Sequence, residues 1–293
     1  MNSEYNKWLG KSEVFHEQIS EVNAKRLHHT LTQNGNLPSS GEAVFPLFLL
    51  TLGEPSVPPN QLGEDGHPKR GSFMPPIPLK RRMFAGAEYE FHRALRVGDE
   101  VKTTWNITDI TRKNGSSGEL VFINILREFH VRETLCATEN RNIVFTDSDP
   151  KIRELNDPEE SGEWMEEMST NPLQLFRYSA LTFNCHRIHY DRAYATEVEG
   201  YPGLVVHGPL LATWLSLFVA RKSGRELKKF RFRAKRPVFD LHHFNLTGDL
   251  SGKDAAKLRV LDHQLQLAVS AEAEFVPQSA LVLAPIIPAD WPI

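Results

Sequence analysis

The spacing of apolar residues predicts two halves with the same order of elements. In the first half, residues 13–33 carry apolar side chains at helical spacing and predict a helix. The almost wholly apolar run at 43–52 predicts a second, buried helix that Pro46 starts or kinks. Residues 53–78 are rich in Pro and Gly and predict a long loop, which in a compact domain is usually functional or forms a lid.

A series of strands follows Arg81-Arg82. The runs at 89–92, 100–107, 120–130 and 137–145 are rich in β-branched and aromatic residues, and turn residues at Gly98-Asp99 and Asn114-Gly115 separate them. Residues 146–170 are acidic and poor in apolar side chains, which is typical of a linker. We therefore predict an N-terminal domain at 1–147, a linker at 148–170 and a C-terminal domain at 171–293.

The second half repeats this plan. A long apolar helix is predicted at 204–222, with few charges because a buried helix is apolar on every face. Strands are predicted after it at 230–234, 240–246, 257–261, 264–276 and 281–283. A helix followed by an antiparallel meander, twice over, is an α+β arrangement in which each sheet wraps its own helix.

Composition excludes several classes of partner. The formal net charge is −3, from 34 basic and 37 acidic residues, so no overall field favours nucleic acid or an anionic membrane. Two Cys residues cannot form a disulfide framework. The N-terminus lacks the apolar core of a signal peptide, and no apolar run reaches the length of a membrane span. We expect a cytoplasmic protein, with a mitochondrial address left open.

Most of the candidate chemistry lies at 176–217. Asn184, His186 and His189 fall within six positions, and His207-Gly208-Pro209 opens the long apolar helix. Histidine can act as acid or base near neutral pH, whereas Asn184 can only hold a water or an imidazole by hydrogen bonds. The first N–H groups of a helix are unpaired and favour negative charge. This combination favours chemistry on an activated carbonyl.

The order Asn184-x-His186-x-x-His189-x-Asp191, followed by Val206-His207-Gly208, resembles the MaoC-like enoyl-CoA hydratases and dehydratases. That family usually carries Asp-x-Asn-x-x-His, so Asn184 stands at the Asp position, His186 at the Asn position, and His189 is kept. The resemblance implies a double hot-dog fold of class α+β, with two long helices each wrapped by an antiparallel sheet. It also implies a degenerate N-terminal copy and a catalytic C-terminal copy.

Further segments are similar to one branch of two-hot-dog proteins. They include Trp8, Leu62-Gly-Glu-Asp-Gly-His-Pro and Glu199-Gly-Tyr-Pro-Gly. This branch contains mesaconyl-C4-CoA hydratases, itaconyl-CoA hydratases and mitochondrial-type hydroxyacyl-thioester dehydratases. The resemblance implies reversible hydration of a short, branched dicarboxylic enoyl-CoA to citramalyl-CoA. The alternatives are 3-hydroxyacyl-thioester dehydration in fatty-acid synthesis and a non-catalytic acyl-CoA-binding protein.

The resemblance also implies the roles of individual residues. His189, Asn184 and His186 are the expected catalytic side chains, and the N–H of Gly208 is the expected donor to the thioester oxygen. We expect His207 only to cap or pack and Asp191 to be an N-cap. A CoA ester carries phosphates and a dicarboxylic acyl group carries a carboxylate, so arginines are needed. The candidates are Arg187, Arg81, Arg82, Arg231 and Arg233, whereas Lys235 and Arg236 are expected to be solvated.

No cofactor or metal is expected beyond the acyl-CoA substrate. The spacing Cys185-His186-x-x-His189 is not a usual zinc pattern, and no second ligand pair is evident. Hot-dog sheets expose edges that pair with another copy, so we expect a homodimer.

Overall fold

In the computed structural model, which describes residues 3–32, 36–115, 118–148 and 158–277, both halves contribute to one sheet. All neighbouring strands are antiparallel. The strands are β1 (Ser12–Gln18), β2 (Arg81–Phe91), β3 (Glu100–Gly115), β4 (Gly118–Val131), β5 (Thr134–Thr146), β6 (Trp164–Met168), β7 (Leu227–Ala234), β8 (Phe244–Leu250), β9 (Ala255–Leu261) and β10 (Leu267–Phe275).

The helices are α1 (Glu21–Leu31), α2 (Pro172–Leu181) and α3 (Gly208–Ser223). Short 3-10 helices lie at Ser3–Trp8, Pro46–Thr51, Pro59–Gln61 and Arg187–His189, and a π-helix lies at Tyr194–Val198. Within the described residues, no helix is both long and apolar enough to cross a membrane.

The strand order reads the same from both edges. It is β1-β3-β4-β5-β2 in the first half, continued by β7-β10-β9-β8-β6 in the second. The halves meet where β2 pairs with β7, and there Tyr89 lies opposite Phe230. The segments that begin the two predicted meanders are therefore direct neighbours at the centre of the sheet.

Helix α3 forms the centre of the C-terminal half. Every residue from Leu210 to Ala220 is buried, as the lack of charges predicts, and the helix ends at Gly224 in the left-handed conformation (φ 64°). The matching element of the N-terminal half is much shorter. The apolar run at 43–52 forms the six-residue 3-10 helix Pro46–Thr51, so the expectation of a second long helix is wrong.

Two other predictions are corrected at the sheet edges. Residues 13–33 are not one helix, because Ser12–Gln18 forms edge strand β1 and Ser20 then caps α1 by accepting the Asn23 N–H at 3.1 Å. Trp164–Met168, predicted as linker, is edge strand β6 and pairs with β8. An edge strand buries little, so its pattern is not the apolar run that signals an inner strand. The strand predicted at 281–283 lies outside the described residues.

Residues 53–80, here called the proline loop, are packed on the N-terminal half of the sheet. Phe73, Met74, Ile77 and Leu79 are buried in a second apolar cluster that includes Trp105. The Trp8 indole N–H donates to the Ser72 carbonyl at 3.1 Å and holds the loop from the N-terminal side.

The proline loop also docks on the C-terminal half. The Arg187 N–H donates to the Asp65 carbonyl at 3.0 Å. Gly66 has φ 91°, and a Cβ there would lie 1.9 Å from the Cys185 carbonyl oxygen. Only glycine therefore permits this approach, because it has no Cβ and accepts a positive φ without strain.

We predict that Gly66→Ala moves the proline loop away from the Cys185 carbonyl and destabilises the protein. The substitution adds a clash to a left-handed strain of about 1–2 kcal/mol, so the free energy of unfolding should fall by more than that strain. Gly71→Ala is the matched control, since Gly71 lies in the same loop with φ 106° and nothing within 4 Å of its Cβ position. Urea unfolding and limited proteolysis of the loop would test this, and equal effects of both variants would contradict it.

Candidate active site

A cavity of about 660 Å³ lies between the two halves. Its walls come from the proline loop, the start of β2, the start of α3 and residues 182–191, here called the motif loop. Of the predicted catalytic residues, Asn184, His186, His189 and Gly208 all line this cavity. The sequence motif therefore forms one wall of a single chamber.

Asn184 shapes the motif loop. The chain leaves α2 through Phe183, which has φ 50°, and the Asn184 N–H then donates to the Ser179 carbonyl at 2.9 Å. The Asn184 side-chain oxygen accepts the His186 N–H at 3.1 Å. Its carboxamide thus fixes the backbone before the two motif histidines.

The ring of His189 has a defined tautomer. Its Nδ1 lies 2.7 Å from the Val205 carbonyl oxygen, and because a carbonyl only accepts, Nδ1 carries the hydrogen. Nε2 is therefore the free nitrogen of the neutral ring. Burial lowers the pKa of His189 to about 4, although the hydrogen bond to Val205 acts in the opposite direction.

His207 supports His189 from behind. The two rings stack with centroids 3.7 Å apart, and the His207 Nε2 lies 2.8 Å from the Ser179 hydroxyl. His207 is fully buried, and burial lowers its pKa well below the ordinary value. His207 therefore packs, as expected, and the side chain that it packs against and holds in place is His189.

His186 stands between two other imidazoles. Its ring centroid is 5.5 Å from that of His189 and 4.6 Å from that of His67. Burial, followed by the nearby His67 and His189, lowers its pKa well below 6.5. At neutral pH these rings are therefore uncharged.

His67 comes from the proline loop and was not among the predicted site residues. Its Nδ1 lies 3.2 Å from an Asp65 carboxylate oxygen, and its N–H donates to the other oxygen at 3.0 Å. Burial would raise the pKa of Asp65, but the bonds from His67 and the nearby Arg82 charge lower it to about 2. Burial and Arg82 lower the pKa of His67, and Asp65 raises it. The only sequence signal was its place in the segment 62–68.

Side-chain atoms of Asp65, His67 and His186 lie within 4.8 Å of one another, a spacing found in metal sites. However, the Asp65 carboxylate already accepts two hydrogen bonds from His67, and the charge of Arg82 is close enough to act on both histidines. We therefore interpret the group as a hydrogen-bonded pair beside a third ring, and the absence of a metal stays a prediction.

Gly208 opens α3 against the cavity. No acceptor for its N–H is found in the part of the chain that the structure describes, as is usual for the first residue of a helix. A Cβ at this position would meet only the Phe232 ring, at 3.9 Å. Neither backbone conformation nor packing within the protein requires a glycine here.

The five predicted arginines separate into two groups. Arg81 and Arg82 line the cavity. Arg81 is bound to the Glu199 carboxylate at 2.9 Å and to the Ser148 carbonyl. Arg82 has no carboxylate within 4.0 Å and no hydrogen-bond acceptor among the described residues. Burial lowers its pKa to about 10, while Asp65 and Glu54 act in the opposite direction.

The other three arginines do not line the cavity. Arg187 binds Asp191 at 2.7 Å and the Glu64 carbonyl at 3.1 Å, so it braces the two loops. Asp191 also accepts the Tyr194 N–H at 3.1 Å, which confirms it as an N-cap. Arg231 and Arg233 lie exposed on β7, where they alternate with the buried Phe230 and Phe232. Lys235 is exposed, as expected, at the margin of the cavity, whereas Arg236 is half-buried and lines it.

A buried charged network forms the N-terminal wall. Arg141 donates to Glu139 at 3.0 Å and to Glu54 at 2.9 Å, and Arg127 donates to Glu139 at 2.5 Å. Arg141 and Glu54 line the cavity. Buried charges of this kind are stable only when paired, and here the pairs give the chamber a polar end.

We predict that His189 makes stability depend on pH. The pKa of His189 is about 4 in the native protein against an ordinary 6.5. Between these two values the unfolded chain binds a proton at this residue and the native protein does not. The free energy of unfolding should therefore fall with pH from 6.5 to 4, by about 3 kcal/mol in all for this group. Asn can still donate to the Val205 carbonyl but does not titrate. The difference in the free energy of unfolding between wild type and His189→Asn should therefore become smaller as the pH falls from 6.5 to 4. Urea unfolding at several pH values measures the gap, and a constant gap would contradict the assignment.

The chain is similar to known hydratases and dehydratases. Residues 49–240 match the family model "Hydroxyacyl-thioester dehydratase type 2". The chain is 38% identical over 270 residues to mesaconyl-C(4)-CoA hydratase of Chloroflexus aurantiacus, covering 91% of this chain and 96% of that protein.

Solved structures support the fold. A MaoC-like dehydratase from Phytophthora capsici aligns with TM-score 0.72 at 16% identity, covering 93% of this chain and 97% of that one. A Mycobacterium tuberculosis protein with a double hotdog fold aligns with TM-score 0.55 at 12% identity, covering 92% and 97%. The predicted double hot-dog fold is confirmed, with the first helix shortened. The chain belongs to the hydroxyacyl-thioester dehydratase type 2 family.

Proposed function

We propose that the protein is a hydro-lyase that reversibly adds water to a 2-enoyl-CoA thioester bearing a second carboxylate, with mesaconyl-C4-CoA as its substrate. The name of the Chloroflexus relative supports the reaction and the acyl group. The single observation that carries the proposal is Arg82, a half-buried cation without an acidic partner among the described residues, on the wall of the histidine-lined cavity.

The motif loop suits the water. His189 offers the lone pair of Nε2, since Nδ1 is used by Val205, and His186 lies beside it. Both rings are neutral near pH 7 because burial lowers their pKa values. A water held between them is oriented towards the β-carbon of the bound thioester.

The start of α3 suits the thioester. When hydroxide adds at the β-carbon, negative charge develops on the thioester oxygen. The free N–H of Gly208, at the positive end of a buried helix, is placed to donate a hydrogen bond to that oxygen. A glycine allows the carbonyl to come close, which explains a residue that the fold itself does not require.

Arg82 suits the acyl carboxylate. In mesaconyl-C4-CoA, that is 3-methylfumaryl-CoA, the β-carbon carries both the methyl group and the free carboxylate. The carboxylate therefore lies next to the carbon that water attacks, and its receptor must be close to the histidines. Arg82 meets this condition, since its charge acts on His67 and His186.

The cavity also offers cations for the CoA phosphates. Lys235 is exposed at its margin and the half-buried Arg236 lines it, so we assign the CoA phosphates to these two residues. No further cofactor is proposed. For the assembly we propose a homodimer, for which the edge strands β1 and β6 remain available.

One specific observation bears on the alternative of fatty 3-hydroxyacyl-thioester dehydration, which the family name supports. At the end formed by the N-terminal half, the cavity wall carries the charged Arg141, Glu54 and Arg82 beside apolar residues such as Leu50, Phe84 and Trp105. Charged groups at that end favour a short polar acyl group, because an apolar tail would desolvate them without replacing their hydrogen bonds.

We predict that the Arg82→Gln variant no longer prefers mesaconyl-C4-CoA over crotonyl-CoA. A charge-assisted bond of roughly 1.5–3 kcal/mol corresponds to an approximately 10–150-fold lower kcat/KM for mesaconyl-C4-CoA, with no loss for crotonyl-CoA. Loss of enoyl-thioester absorbance with both substrates measures this. Arg231→Gln is the matched control, because Arg231 is exposed and pairs with Glu272 at 2.6 Å. An equal loss on both substrates would reject Arg82 as the carboxylate receptor.

We predict that Gly208→Ala folds normally but is a poor enzyme. The added methyl has room within the protein, so the melting temperature should not fall. The methyl group would keep the thioester oxygen away from the N–H of residue 208. A displacement of the substrate by about 1 Å lowers the rate on the order of 100-fold. Steady-state kinetics with the preferred substrate and thermal unfolding test this. Unchanged kcat/KM would mean that the thioester does not approach Gly208.

A further inference from the structure

The family arrangement pairs a carboxylate with the motif histidine, but here that position is Asn184, whose oxygen accepts the His186 N–H. An amide cannot take up a proton. Hydration nevertheless needs a group that removes a proton from water and returns it to the α-carbon. Asp191 is paired with Arg187 and does not line the cavity, and burial raises the pKa of the Cys185 thiol. The proton acceptors that the motif loop presents to the cavity are therefore the imidazoles of His186 and His189.

The two motif histidines lack a counter-charge. His189 donates to a neutral carbonyl, that of Val205, and no hydrogen-bond partner is found for the His186 ring within the described residues. Protonating either ring would create an uncompensated buried charge, which is costly. They can hold a water but are poor places to leave its proton.

His67 differs in this respect. Its Nδ1 faces the Asp65 carboxylate at 3.2 Å, so protonation of the opposite nitrogen would produce an ion pair instead of an isolated cation. The ring lines the same cavity and lies 4.6 Å from His186 by centroids. A histidine oriented by a carboxylate is the usual form of a catalytic base.

We propose that His67, oriented by Asp65, is the general base and acid of the hydration, so that the N-terminal half supplies the proton acceptor that the C-terminal motif lacks. The inference rests on the proposed function. His67 Nε2 takes a proton from water as the water oxygen bonds to the β-carbon and the double-bond electrons move onto the thioester as an enolate. The enolate then takes the same proton from His67 at the α-carbon, so one water is added and the base is restored.

The test uses the full-length protein and mesaconyl-C4-CoA. His67→Asn should lower kcat by about 100- to 10,000-fold with little change in KM, the range for loss of a general base. Asp65→Asn should lower kcat and also move the acid limb of the pH profile to lower pH, because the carboxylate raises the pKa of His67. The other charged or titratable groups acting on His67 are Arg82, Glu54, His186 and His189.

Two readouts separate catalysis from loop stability. Millimolar imidazole should restore part of the activity of His67→Ala, which a structural role would not allow. Asp191→Asn is the control for Asp65→Asn, because Asp191 also lies at the loop contact, pairs with Arg187 and has no histidine partner. It should leave the pH profile in place, since Asn also serves as an N-cap.

The outcomes are distinct. An inactive wild type would reject the proposed function together with the role of His67. An active wild type with His67→Asn above roughly one third of wild-type kcat, or with no pH shift in Asp65→Asn, would reject the role of His67 alone. Loss of wild-type activity with EDTA, restored by Zn²⁺, would replace the acid–base pair by a metal site.

Discussion

The contact between the proline loop and the motif loop is the constraint on which the candidate site depends. Gly66 lies so close to the Cys185 carbonyl that no side chain fits, and the Arg187 N–H closes the contact on the Asp65 carbonyl. On one side of this contact is His186 and on the other is His67. The chemistry is therefore assembled from two loops more than 100 residues apart in the chain, and its geometry is only as good as their docking.

The same contact explains how an internal repeat became asymmetric. The strand order is the same in both halves, but α3 has 16 residues and its N-terminal counterpart only six. Where the second half continues as a helix, the first half leaves the core as the proline loop. That loop anchors itself through Phe73, Met74 and Ile77 and then crosses to the other half. The two halves thus differ in the region that builds the cavity wall, where the proline loop of the first half supplies the second part of the site.

The sequence predicted what depends on local pattern. The inner strands, the apolar helix α3 and the cluster Asn184, His186, His189 and Gly208 could be identified because short-range composition determines them. Edge strands β1 and β6 could not, since an edge strand buries too little to show the period of a sheet. Arginines were the hardest case. Arg187 is adjacent to the motif in sequence, yet it binds Asp191. Arg82 lines the cavity and has no carboxylate partner among the described residues. The sequence does not show this difference, because the partner of an arginine is determined by tertiary packing.

The charges around the cavity link the choice of substrate to the pKa of His67. Arg82 and burial lower the pKa of His67, while Asp65 raises it, so the ring is held between opposing charges. A substrate carboxylate bound by Arg82 would neutralise that cation and remove its effect on His67. The base would then become stronger when the dicarboxylic substrate is in place, because the interaction of nearby charges in a buried site is large. A monocarboxylic enoyl-CoA would leave Arg82 uncompensated and the base weaker. Discrimination between the two would then arise in the proton transfer itself as well as in binding.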